Sequence, residues 1–102
     1  MTRNTQHMKE EKAVIFIVLA KFRGKATKDM IAQSSKVFEQ NEKEGAKLLG
    51  FYYTLGRYDS VIIIEGPDEK TAMKWFLRAG GIASTETLVA VPAEEGRKLV
   101  EQ

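Results

Sequence analysis

Residues 13–20 read Ala13-Val14-Ile15-Phe16-Ile17-Val18-Leu19-Ala20. A β-branched and aromatic run of this length, following Lys9-Glu10-Glu11-Lys12, predicts a strand. Successive side chains of a strand point to opposite faces. Val14, Phe16 and Val18 therefore point one way, and Ile15, Ile17 and Leu19 the other. A strand that is apolar on both faces is one that is covered on both faces. The run is too short to span a bilayer and has neither the cationic lead-in nor the cleavage pattern of a secretory signal.

The same two-sided character recurs at Val61-Ile62-Ile63-Ile64, inside a strand expected over residues 58–65. Further strands are expected over 47–55 and 84–91. Between the first two strands, Thr27 is placed to cap a helix whose Met30, Ile31, Ser34, Val37 and Phe38 share a face, and Gly45 suits the left-handed position after it. Asp68 caps a second helix, in which Ala72, Met73, Phe76, Leu77 and Ala79 form the apolar side and Lys70, Lys74 and Arg78 a solvated basic stripe. Gly80-Gly81 ends it, and Pro92 opens a short terminal helix to about Glu101. Residues 1–12 are polar and aperiodic and are read as a tail, leaving one domain over 13–102.

The order β-α-β-β-α-β predicts a ferredoxin-like plait: α+β, a four-stranded antiparallel sheet with two helices on one face and the first and third strands in the middle. Helices cover one face only. The second face would expose far more than the few hundred Å² of contiguous apolar surface a monomer usually tolerates. Burying four of its aliphatic side chains contributes roughly 6–10 kcal/mol before entropy costs. The terminal helix offers chiefly Leu99 and Val100 as cover. A second copy, sheet on sheet, is the better partner, so a homodimer or larger homo-oligomer is expected.

The 102 residues carry 16 basic and 14 acidic side chains, a net charge of +2, which is too balanced to imply a nucleic-acid or membrane partner. There is no cysteine, hence no disulfide framework, thiolate nucleophile or cysteine metal site, as fits a cytoplasmic protein. The single histidine, His7, lies in the tail, so a core haem ligand or His-rich zinc site is not expected. Asp59, Glu65 and Glu86 leave a hard-metal site conceivable but unsupported. No phosphate-binding glycine motif occurs. RNA recognition motifs share this topology but need stacking aromatics on the middle strands, where Val61-Ile62-Ile63-Ile64 stands here.

At the central hairpin the chain reads Tyr52-Tyr53-Thr54-Leu55-Gly56-Arg57-Tyr58-Asp59, continuing to Glu65-Gly66-Pro67-Asp68 and later Thr85-Glu86-Thr87-Leu88. These segments resemble the GYD domain family, whose hallmark is the glycine, tyrosine and aspartate of this turn. The resemblance spans about residue 13 to the C-terminus and implies a dimeric α/β-barrel, two sheets packed face to face. Related dimeric barrels include cofactor-independent monooxygenases, small isomerases and haem enzymes. That kinship is one of fold, which does not fix function.

Gly56 at the first loop position fits a two-residue type II′ turn, because that position needs positive φ. Such a turn sets Thr54 opposite Asp59, Tyr53 opposite Ser60 and Tyr52 opposite Val61. Leu49, Phe51, Tyr53, Tyr58 and Ser60 then share one face, and Tyr52, Thr54, Asp59 and Val61 the other. Tyr52, Thr54 and Asp59 would form a polar group beside an apolar floor, as in a small-molecule site. Asp59 is a candidate base, or it only stabilises the turn. Tyr58 is a candidate catalytic partner, or core. Arg57 is an anion contact or a solvated loop residue. Trp75, at the edge of the basic stripe, would close a cleft or an interface. Glu86 is a carboxylate in an apolar sheet, or an edge charge that deters aggregation. The residues favour a small-molecule binding or sensing module without a cofactor. The alternatives are a cofactor-independent enzyme acting on a small apolar or aromatic ligand, and a structural assembly module.

Overall fold

The computed structural model of the protein describes residues 13–101, so the expected tail over 1–12 lies outside the described residues. The elements follow in the order β1 (Val14–Phe22), α1 (Lys28–Lys43), β2 (Lys47–Tyr53), β3 (Ser60–Gly66), α2 (Glu69–Arg78), β4 (Ala83–Ala90) and α3 (Ala93–Glu101). The sheet order is β2-β3-β1-β4, all neighbours antiparallel, with the two doubly apolar strands in the middle as expected.

Local chemistry sets the helix ends. The Thr27 hydroxyl accepts the Met30 N–H at 3.1 Å, and the Asp68 carboxylate accepts the Thr71 N–H at 2.8 Å. These bonds satisfy donors the helix cannot pair internally. That N–H, then the Thr71 hydroxyl, holds the Asp68 carboxyl below its usual range. Gly45, at φ +105°, turns the chain out of α1.

The helix-side face of the sheet carries the core. Phe16, Val18, Ile64, Ala72 and Trp75 are buried together, with Phe38, Ile62 and Phe76 packed against them. Three rows cross the sheet on this side: Ile64–Phe16–Val89, Ile62–Val18–Thr87, and Ser60–Ala20–Thr85. The rows shrink in that order, from aromatic and branched side chains to three small ones.

Two sequence expectations are corrected here. In α2 the buried residues are Ala72 and Trp75, whereas Met73 and Leu77 are exposed. Trp75 is therefore a core residue rather than the rim of a cleft. Its ring packs on Gly66 at the end of β3, so closely that a Cβ there would lie 2.8 Å from two ring carbons. The turn of the helix that buries Trp75 also brings Lys74 and Arg78 round to α1. Lys74 lies 3.5 Å from Glu44, and Arg78 reaches Glu44 at 3.0 Å and Asn41 at 2.7 Å. Of the expected solvated stripe, Arg78 is instead a clamp between the helices.

The second correction concerns β2. Its pairing with β3 shifts between Leu48 and Gly50, a bulge that inserts one residue and reverses the faces beyond it. Leu48, not Leu49, thus shares the helix-side depression with Phe51 and Tyr53.

On the other face, the rows read Tyr52–Val61–Leu19–Glu86 and Gly50–Ile63–Ile17–Leu88. No described element covers this surface to completion. Tyr52 is 60% exposed and Leu88 45%. The terminal helix α3 does not serve as cover, for its Leu99 and Val100 are 66% and 85% exposed. No helix among the described residues is long and apolar enough to cross a membrane.

Candidate functional site

The connection between β2 and β3 is six residues, Thr54 to Asp59, rather than a two-residue turn. Gly56 has the positive φ its position called for, +101°. The expected pairs Tyr53–Ser60 and Tyr52–Val61 are present. Thr54 still meets Asp59 across the loop through one backbone bond, but regular strand ends at Tyr53 and Ser60, and the reason lies in Asp59.

Asp59 donates its backbone N–H to the Ala20 carbonyl at 2.8 Å, and its carboxylate accepts the Phe22 N–H at 2.7 Å. In the β1–β3 register the next position opposite Phe22 would be Tyr58. The Asp59 side chain takes the ladder bond that Tyr58 would otherwise supply. Tyr58 is thereby released from strand alternation. Thr54 closes the loop from the other side, donating its N–H to the Asp59 carbonyl at 2.9 Å and its hydroxyl to the Tyr58 carbonyl at 2.7 Å. Asp59 and Thr54 thus hold the backbone of the loop, the more modest of the two roles open to Asp59.

Tyr58 swings to the open face, not to the face of Ser60 and Phe51 that strict alternation implied. Its phenol donates to the Glu86 carboxylate on β4, spanning β1. That bond, then partial burial and the negative charge of Glu86, raise the phenol above the usual tyrosine range. Arg57 lies over the Tyr58 ring, its guanidinium carbon 5.8 Å from the centroid. With Lys21, Ser84 and Thr85 these residues line a cleft of about 330 Å³.

Of the residues singled out from the sequence, the fold gathers Arg57, Tyr58 and Glu86 into one cleft. Tyr52 shares the open-face row of Glu86 but stands at the far strand. Asp59 and Thr54 are spent on the loop, and Trp75 is in the core. Lys21 and Ser84 went unrecognised. They face one another only through the β1–β4 register, which pairs Lys21 with Ser84.

A second polar group, also missed, joins the helices. Glu44, the residue that caps the C-terminus of α1, accepts from Gln40, from Arg78 and from the Trp75 indole N–H at 3.1 Å. Gln40, then Arg78 and Trp75, hold its carboxyl down to about 2. This group anchors the buried indole and is structural.

Four antiparallel strands in this order, with both crossing helices on one side, define a ferredoxin-like plait with an open apolar face. The chain belongs to the GYD domain family, whose family model matches residues 16–100. Among solved structures it resembles an AsnC family transcriptional regulator from Agrobacterium tumefaciens, with a TM-score of 0.58 at 15% identity over 89% of this chain and 57% of that one. A transcriptional regulator from Neisseria meningitidis, solved as a complex with L-methionine, matches at a TM-score of 0.54 and 9% identity, over 89% of this chain and 56% of that one. A structural-genomics protein, YJCS, matches at 0.50 and 15% identity, over 76% of this chain and 97% of its own. The chain thus spans somewhat over half the length of the two regulators. These likenesses establish the fold. No curated protein matches the sequence.

Proposed function

We propose that this GYD domain is a homodimeric small-molecule binding or sensing module, two copies meeting through their open sheet faces. One observation carries the reading: the apolar open face runs directly into the Tyr58–Glu86 cleft. Leu19 is the row neighbour of Glu86, and Lys21 lines the cleft one alternation further along β1. Apolar surface with a few convergent polar groups is the composition of a small-molecule site. A ligand with an apolar body would lie toward Leu19, its polar head among Tyr58, Glu86, Arg57 and Lys21. The likeness to regulators, one of them bound to L-methionine, supports sensing as the use of such a site.

The cleft favours binding over catalysis. A phenol held above its usual range stays protonated at neutral pH and donates a hydrogen bond; it does not serve as a base. The Asp59 carboxylate, the other candidate base, accepts from the backbone of β1. In this reading the module needs no cofactor and works in the cytoplasm.

Light scattering at micromolar concentration is expected to give twice the 11.5 kDa chain mass. Ile17→Glu, which places a charge in the centre of the open face, is expected to return it to the chain mass with the fold intact by circular dichroism. A wild-type protein of the single chain mass defeats the dimer. A thermal-shift screen of amino acids and small aromatic acids should yield a ligand whose affinity falls in Tyr58→Phe. A ligand indifferent to that change binds elsewhere, and the cleft is then not the site.

A further inference from the structure

We infer that the space between the sheet and the two helices is a separate ligand site, fitted to one small apolar ring or branched chain that carries a single hydroxyl or carbonyl group. This site lies on the opposite side of the sheet from the Tyr58–Glu86 cleft and does not depend on the reading of that cleft.

A pocket of about 110 Å³, partly open to solvent, occupies this space, its walls almost wholly apolar. Its floor includes the row of small side chains, Ser60, Ala20 and Thr85, at the level where the core residues of the two preceding rows give out. Phe38 from α1 and Trp75 and Phe76 from α2 are among its walls. Folded interiors are close-packed, and a chain that needed only stability would fill such a void with a larger aliphatic side chain on one of these strands. An engineered apolar cavity of about 150 Å³ takes up benzene, so the space here suits a single ring of that order or smaller.

The second observation is the Ser60 hydroxyl. Ser60 is 2% exposed and lines the cavity, yet among the described residues no group bonds its hydroxyl. The other buried polar side chain on the wall, Asn41, is already engaged by Arg78 at 2.7 Å. Buried polar groups are almost always paired. The Ser34 hydroxyl, also on the wall, donates to the Met30 carbonyl at 3.0 Å, so the free and buried Ser60 hydroxyl is a polar contact suited to orient a ligand there. It both donates and accepts, so a ligand hydroxyl or carbonyl satisfies it equally.

The test uses the full chain with two isosteric probes, phenol and toluene. Trp75 is the single tryptophan and lines the cavity, so its emission reports occupancy directly. Both probes are expected to raise the melting temperature saturably and to shift Trp75 emission. Ser60→Ala should weaken phenol several-fold while leaving toluene as it was or tighter. Ala20→Val, which fills the floor, should abolish both. Should Ala20→Val fail to fold, the phenol and toluene comparison in Ser60→Ala decides alone. No saturable response to either probe overturns the inference. So does binding that survives Ala20→Val, or a Ser60→Ala variant in which phenol and toluene change alike.

Discussion

The phenol of Tyr58 donates to the carboxylate of Glu86 across 28 residues of chain and over the whole width of β1. The pair ties the β2–β3 loop to the edge strand. Its acidity is open to direct measurement. In a spectrophotometric titration, one of the three tyrosines should ionise above the ordinary value of about 10. Glu86→Gln, which keeps an acceptor and removes the charge, should bring it down. Because the folded phenol holds its proton more tightly than the unfolded one, this stabilisation is fully present below about pH 10. It is lost as pH rises through the raised folded value. Three tyrosines titrating together, unchanged in Glu86→Gln, would mean the pair does not form in solution.

Asp59 substitutes for a strand residue at Phe22, and its replacement should show it. Asp59→Ala leaves the Phe22 N–H without its carboxylate acceptor and is expected to cost about 1–3 kcal/mol in denaturant unfolding. Asp59→Asn retains an acceptor oxygen and should cost clearly less. Amide hydrogen exchange at Phe22 should accelerate in the alanine variant. Equal losses in the two variants would place the effect of Asp59 elsewhere than in that bond.

The Glu44 clamp predicts a pH dependence of opposite sense. Its carboxyl, held down to about 2 by Gln40, Arg78 and Trp75, lies below the unfolded value near 4.3. The stabilisation is therefore present above about pH 4.3 and is lost as pH falls toward 2. Glu44→Gln should flatten the stability profile across that window and leave the profile above it parallel to wild type. An unchanged acid limb would show that Glu44 titrates normally.

Gly66 is fixed by the indole it supports. A Cβ there would lie 2.8 Å from Trp75 ring carbons, so Gly66→Ala must displace a fully buried side chain. Overpacking of this kind costs about 1–3 kcal/mol. The emission of Trp75 should shift to the red as its Nε1–Glu44 bond is disturbed. A variant as stable as wild type would show that the core at this point yields more easily than the packing implies.

The sequence by itself determined the plait. Residues 13–20 and 61–64, apolar on both faces, had to be central strands, and Thr27, Asp68, Gly45 and Gly56 marked the ends between elements. These are local properties: periodicity, capping and positive φ act over a few residues and can be read without knowing what lies opposite. The open apolar face follows from the same alternation. What only the tertiary structure decided is where alternation fails and what meets across elements. The bulge at Leu48 and Gly50 changed which leucine joins Phe51. The Asp59 carboxylate took a ladder bond and freed Tyr58 for Glu86. Trp75, which the helical pattern set beside a basic stripe, is buried because Gly66 leaves room for its ring and Glu44 and Arg78 satisfy the polar groups around it. The cleft and the cavity alike are products of register between strands that are distant in sequence. Register is a property of pairs, and no single stretch of chain carries it.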